Sequence, residues 1–260
     1  MMLNIKYISN RFTTFFSLLI VLNFALLVSA NSATAEKKGK VKVVNSDFGL
    51  PIHRRDGGSR GSRDNCVSDA ENQNLIALIP EKTVGINASA APKLFFYVPE
   101  VSKQRTLEFV LRNEQDELMY EAFLSTEGNG IMSVEVPANI RSNLLQTKQN
   151  YHWYLSMICD NQQRSRDIVV EGWMRQEAID TATKEQLNTA SSIKQAEVYS
   201  KQGFWYDALS VLAENQDSIA EQPMVKQKWL EMLKSVGLGE LASKPFVETE
   251  LVKAPVGFYR

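Results

Sequence analysis

The chain has 260 residues, 44% of them apolar and 23% charged, which suits one large domain or two small ones and excludes a disordered acidic chain or a collagen-like repeat. Two Cys exclude a Cys-dense scaffold or a Cys-rich zinc module, and the only two His, at positions 53 and 152, are too far apart in sequence to suggest a His-based metal site. A formal charge of -1 argues against a dedicated nucleic-acid binder.

The N-terminus has three parts. Met1 to Arg11 carries Lys6 and Arg11 and no acid, Phe12 to Ala35 carries no charge, and Phe15 to Val28 is apolar except for Ser17 and Asn23. The small-x-small sites Val28-Ser29-Ala30 and Ala33-Thr34-Ala35 follow. This is the layout of a secretory signal peptide, with cleavage after Ala35 the expectation and an uncleaved anchor the alternative. No Cys lies at the cleavage region, which excludes a bacterial lipoprotein anchor. Cleavage removes two of the 29 basic side chains and none of the 30 acidic ones, for a net charge of -3. No second apolar run of membrane length follows, so a periplasmic or secreted product without a membrane span is expected.

Residues 36–65 are poor in apolar side chains and rich in Lys, Arg, Gly, Ser and Asp. Such a stretch buries too little apolar area to offset its ordering entropy, and it reads as a flexible basic leader. Residues 66–176 carry short apolar runs between turn signals. Leu75–Ile79 stops at Pro80, Lys93–Val98 at Pro99 and Ile131–Val136 at Pro137. Thr106–Arg112 alternates with a period of two, and Leu118–Leu124 follows the hairpin-like loop Asn113–Glu117. Tyr151–Ile158 and Ile168–Met174 complete seven candidate strands. Seven short strands in about a hundred residues predict a mainly β fold, an immunoglobulin-like β-sandwich, with barrel closure the alternative.

From Gln176 the period changes. Thr183–Leu187 opens a short helix, and Ser192-Ile193-Lys194-Gln195 is a candidate capping box. Trp205, Ala208, Leu209 and Leu212 share one helical face, as do Val225, Trp229, Met232 and Leu233 before Gly237 or Gly239. These elements predict a helical tail over residues 177–245, packed on or beside the sandwich, with a C-terminal tail over 246–260. Tyr199, Gly203, Ala208, Leu212 and Pro223 resemble one tetratricopeptide-type hairpin, but a single repeat implies no peptide groove.

Little in the sequence points to catalysis. G-x-S-x-G, H-E-x-x-H and G-x-x-x-x-G-K-[ST] are absent, and no Ser has a neighbouring His. Cys66 and Cys159 are expected to pair, because an exported chain meets an oxidising compartment. A straight strand puts His152 and Cys159 on opposite faces, against a thiol–imidazole pair. His152 reads as a partly exposed strand residue beside a core Trp, and His53 as part of the mobile leader. The polar loop from Asp160 to Asp167 lacks the alternation of a calcium loop and reads as a solvated turn, and Glu114, Asp116 and Glu117 form an ordinary acidic loop. No metal or cofactor is expected. Phe95, Tyr97, Tyr151, Trp153 and Trp173 are the candidate binding surface, since Trp and Tyr stack on sugar rings or anchor peptides. Filling a sandwich core is the plainer reading of the same five residues.

Several segments taken together resemble a known family. They are Arg60-Gly61-x-Arg63-x-x-Cys66, Pro92-x-Leu94-x-Phe96-Tyr97-Val98-Pro99, Tyr151-x-Trp153-Tyr154, Cys159-Asp160, Val170-Glu171-Gly172-Trp173-Met174-Arg175 and Gly203-x-Trp205-Tyr206-Asp207-Ala208-Leu209. Over roughly residues 60–242 the chain resembles an uncharacterised domain-of-unknown-function family of usually exported cyanobacterial proteins. The resemblance implies export and a cyanobacterial origin, and it assigns no catalytic role to any residue.

The resulting expectation is a non-catalytic exported binding or envelope-interaction protein whose partner is an envelope protein, peptide or polysaccharide. A periplasmic hydrolase using acidic residues and a structural envelope protein are the alternatives. Two outcomes follow for the intact mass of the exported chain. It should match residues 36–260, and reduction followed by alkylation should add two thiol labels that are absent without reduction. A full-length mass, or labelling before reduction, contradicts the corresponding expectation.

Overall fold

The computed structural model describes residues 53–55, 66, 74–81, 84–89, 92–101, 104–126, 128–137, 146–218 and 222–255. The expected signal peptide, most of the expected leader and the last five residues lie outside the described residues.

Among the described residues, nine strands form two sheets. They are β1 (Ile76–Ala77), β2 (Gly85–Asn87), β3 (Lys93–Val98), β4 (Thr106–Arg112), β5 (Leu118–Ser125), β6 (Gly130–Glu135), β7 (Asn150–Met157), β8 (Ile168–Gln176) and β9 (Glu250–Val252). Between β8 and β9 come α1 (Thr181–Thr189), α2 (Ser192–Gln202), α3 (Trp205–Glu214) and α4 (Gln222–Ser235). One sheet has the order β1-β3-β6 and the other β2-β8-β7-β4-β5-β9. All pairings are antiparallel except β2–β8, which is parallel and departs from the all-antiparallel immunoglobulin plan. The fold of the described residues is therefore mixed α/β, with two sheets and four α-helices. The helices are not strictly C-terminal, because β9 follows them and adds to the edge of the larger sheet beside β5.

Alternation in β7 sends Tyr151, Trp153, Leu155 and Met157 inward, where each is buried. In β3 both faces are buried. Phe96 meets the Trp153 ring edge-on at 5.4 Å between centroids, and this contact joins the two sheets. On the opposite face, Phe95 meets Trp229 of α4 edge-on at 6.0 Å. A strand covered by a sheet on one side and by helices on the other has no solvent face, which is why Lys93–Val98 reads as an unbroken apolar run.

The helices follow their local signals. Asp180 caps α1 by accepting from the Thr183 N–H. Ser191, one residue before the expected box, caps α2 by accepting from the Lys194 N–H. Gly203 (φ 91°) ends α2, with the Phe204 N–H on Tyr199 O and the Gly203 N–H on Ser200 O. Gly237 (φ 74°) ends α4 in the same way, with the Leu238 N–H on Leu233 O and the Gly237 N–H on Lys234 O. Both turns are Schellman motifs, and the left-handed position favours Gly.

Two further contacts tie the helices to the sheets. The Trp205 indole N–H donates to Leu78 O at 2.8 Å, and the Trp153 indole N–H donates to the Tyr206 hydroxyl at 3.2 Å. Tyr206 lies so close to β2 that a Cβ on Gly85 would stand 2.2 Å from its ring.

Part of the expected leader is seated. His53–Arg55 bridges both sheets, with His53 beside Glu171 of β8 and Arg55 beside Ile76 of β1. Arg54 is buried, donates to Ile79 O and Val236 O, and pairs with Glu81. A buried guanidinium requires such partners, and the carbonyl supplied by the end of α4 became available only once the chain folded. Cys66 and Cys159 are joined as a disulfide, with Cα atoms 5.1 Å apart.

Gly172 in β8 marks a second close approach in the core. A Cβ there would lie 2.4 Å from the Trp153 ring and 2.9 Å from Ile79. Gly172→Ala is expected to lower the unfolding free energy by about 1–3 kcal/mol, the usual cost of overpacking, read from urea midpoints. An unchanged midpoint would show that Trp153 moves freely and does not lock the sheets.

Candidate functional site

The register of β3 and β6 places Lys93 opposite Glu135 and Phe95 opposite Ser133, all facing the helices. The C-terminal end of α3 and the turn after it bring Glu214, Gln216 and Asp217 alongside. Phe246 arrives from the returning chain, where it bridges Ile131 of β6. Between these pieces lie two adjoining cavities of about 280 and 380 Å³. Lys93 and Glu214 line both cavities and pair with each other at their junction. The larger cavity is walled by Phe95, Ser133, Gln216, Asp217 and Phe246. The smaller is lined by Ser89, Glu135, Tyr199, Asp207 and Ser210 among others.

Asp207, the third residue of α3, is buried. Its carboxylate accepts from the Ala88 N–H at 2.7 Å and the Ser89 N–H at 2.8 Å. Burial pushes its pKa up to about 6, against the pull of these two donors. The two bonds fasten the loop after β2 to the start of α3, so this carboxylate anchors one wall of the groove.

A second polar cluster lies on the outer face of the larger sheet. His152 is buried, stacks on Trp173 at 4.2 Å with the rings 14° apart, and shares a 2.8 Å hydrogen bond with the Tyr154 hydroxyl. Glu171 stands between the two histidines of the chain, one carboxylate oxygen against His53 Nδ1 and the other 3.0 Å from His152 Nε2. Burial lowers the His152 pKa, and Glu171 acts in the opposite direction. The expectation of a partly exposed His152 and a mobile His53 gives way to this paired arrangement, because the bridge from His53 to β8 carries the imidazole onto the sheet. Among the described residues, no group of three or more His, Cys, Asp or Glu is arranged to hold a metal ion.

Of the five aromatics expected to form a binding surface, Phe95, Tyr97, Tyr151 and Trp153 are at most 3% exposed. Tyr151 and Trp153 face the core of the larger sheet, while Phe95 and Tyr97 lie under the helices and the returning chain. Tyr97 carries the Lys244 ammonium 5.1 Å above its ring. Phe95 lines the larger cavity, and Trp173 is half-buried on the outer face. The five therefore do not form one strip. The groove residues Lys93, Glu214, Gln216, Asp217 and Phe246 were not legible as a set, because they come from three distant segments. One local signal was present. Acids at and just beyond the end of a helix, as at Glu214 and Asp217, oppose the helix dipole and are unusual without a cation nearby.

The fold and the groove describe an α/β domain with a small polar cleft floored by aromatic rings. A family model described as Domain of Unknown Function (DUF928) matches residues 55–246, and the chain belongs to that family. No curated protein matches the chain.

The raised Asp207 carboxyl has a consequence for stability. Between its ordinary value and about 6, the folded chain holds a proton that the unfolded chain releases. This group's contribution therefore falls as pH rises through that window and levels off above it, by an amount on the order of 3 kcal/mol. Asp207→Asn should flatten the difference between urea midpoints at pH 4 and pH 7 relative to the parent chain. Parallel profiles for the two proteins would mean that Asp207 titrates normally.

Proposed function

We propose that the chain is an exported, non-catalytic binding protein that holds a small ligand, or a side chain of a larger partner, in the groove between β3, β6 and the end of α3. The observation that carries this reading is the pair of adjoining cavities sharing Lys93 and Glu214, with an aromatic wall and a few convergent polar groups, the usual composition of a ligand site. Asp207 has a raised pKa, yet both its oxygens are engaged by backbone N–H groups, which suits an anchor better than a general acid. The uncharged N-terminal stretch ending in small residues supports export, as does the disulfide between Cys66 and Cys159. Among the described residues no helix is long and apolar enough to cross a membrane.

Chemical-shift mapping of the mature chain with a mixed set of amines, short peptides and oligosaccharides tests the reading. Perturbations are expected to cluster on Lys93, Ser133, Glu214, Gln216 and Phe246, with every compound recovered unchanged. Shifts confined to the outer face of the larger sheet would move the site there. Hydrolysed products that depend on the protein would replace binding with catalysis.

A further inference from the structure

The carboxylates around the groove are Glu135, Asp207, Glu214 and Asp217, and the facing cation is Lys93. Asp207 is engaged by backbone donors, and Glu214 and Asp217 line the larger cavity together with Lys93. The α3 helix ends at Glu214, so the carbonyl end of its dipole points the same negative potential into the cleft. Lys93 already marks how a cation sits there. Its aliphatic stem rises from β3 beside Phe95, and its ammonium pairs with Glu214 at the junction of the two cavities.

The rest of the wall supplies what an apolar stem and an amide require. Phe95 and Phe246 line the larger cavity, and Trp229 backs both, 6.0 Å from Phe95 and 5.3 Å from Phe246. Phe246 is 41% exposed, so its ring is open to a ligand. Aromatic rings favour both a methylene stem and the cation at its end. The Gln216 side-chain N–H₂ and the Trp229 indole N–H are buried donors without a hydrogen-bond partner among the described residues. Gln216 lines the larger cavity, and a peptide carbonyl would satisfy such a donor. An acidic end, an aromatic channel and a spare amide donor together match one chemistry.

We propose that the groove takes a basic peptide by one lysine side chain, whose ammonium replaces that of Lys93 on Glu214. This rests on the groove being the binding site. Lys93 is then an internal competitor that holds the acidic end closed until the ligand displaces it. The peptide stem lies along Phe246, and its backbone meets Gln216.

Calorimetric titration of the mature chain with Nα-acetyl-lysine amide and with a lysine-containing pentapeptide tests this, with Nα-acetyl-norleucine amide and a neutral oligosaccharide as controls. The pentapeptide is expected to bind at least tenfold more tightly than the norleucine compound, with affinity falling as salt is raised. Glu214→Gln should weaken it about tenfold. Lys93→Met keeps the stem, removes the competing ammonium, and should tighten binding several-fold. Tightening by loss of a cation is not a response that general destabilisation produces, and thermal midpoints of both variants confirm that they fold. Equal binding of norleucine and lysine compounds, or weaker binding by Lys93→Met, overturns the lysine assignment. If the oligosaccharide alone shifts the groove residues, the ligand class fails while the groove stands. If no compound shifts them, the site itself is wrong.

Discussion

The fold depends on the environment of one side chain, Trp153. It is fully buried in β7, and three layers of the structure converge on it. Phe96 reaches it from the smaller sheet, Tyr206 accepts its N–H from α3, and Gly172 on the neighbouring strand leaves room for its ring. Buried indole needs both apolar contact and a partner for its N–H, and a sheet facing only another sheet rarely supplies that partner. Here a helix supplies it. The helices are therefore part of the core, and α2 to α4 share one continuous apolar cluster with both sheets.

That integration explains which parts of the architecture were legible in sequence. Six of the seven strands expected from alternation and Pro boundaries have nearly the observed limits, because their pattern records one buried face or a sharp stop. The first expected strand, Leu75–Ile79, shrinks to Ile76–Ala77, since buried apolar residues do not by themselves imply paired backbone. β2 and β9 were missed for a related reason. Gly85-Ile86-Asn87 and Glu250-Leu251-Val252 are too short to show a period, and each is a strand only because β8 or β5 offers an edge. The stop of the last helix was legible as Gly237 or Gly239, and it falls at Gly237, where the cap is local chemistry. The cap at Ser191 was misplaced by one residue, because neighbouring Ser residues both suit the position.

The site was harder to read than the fold. Sequence reasoning ranks aromatics on strands as candidate binders, yet the same side chains are the best core fillers, and burial took four of the five. Which outcome applies depends on whether a second layer covers the face. For β3 the answer lay in α4 and in Phe246, far along the chain. His53 and His152 show the opposite case. Their separation in sequence argued against any common site, and a bridge from residues 53–55 to β8 nevertheless brought both to Glu171. Linear distance says little once a segment crosses two sheets.

The returning chain after α4 links these points. Had the chain ended with the helices, the outer face of β3 and β6 would carry Ser133 and Glu135 beside Phe95 with no opposite wall. Instead, the Ile131 N–H donates to Pro245 O and the Val247 N–H donates to Ile131 O, which places Phe246 beside β6 and against Trp229. A Cβ on Gly130 would lie 2.5 Å from Val247, so this end of β6 is shaped to accept the returning segment. The groove thus exists because α3 supplies its acidic end, β3 its floor and the segment after α4 its far wall. A cleft assembled from three segments is held open by the core beneath it. The Lys93–Glu214 bridge within it is a partly exposed ion pair, and such pairs are weak enough to be exchanged for a ligand.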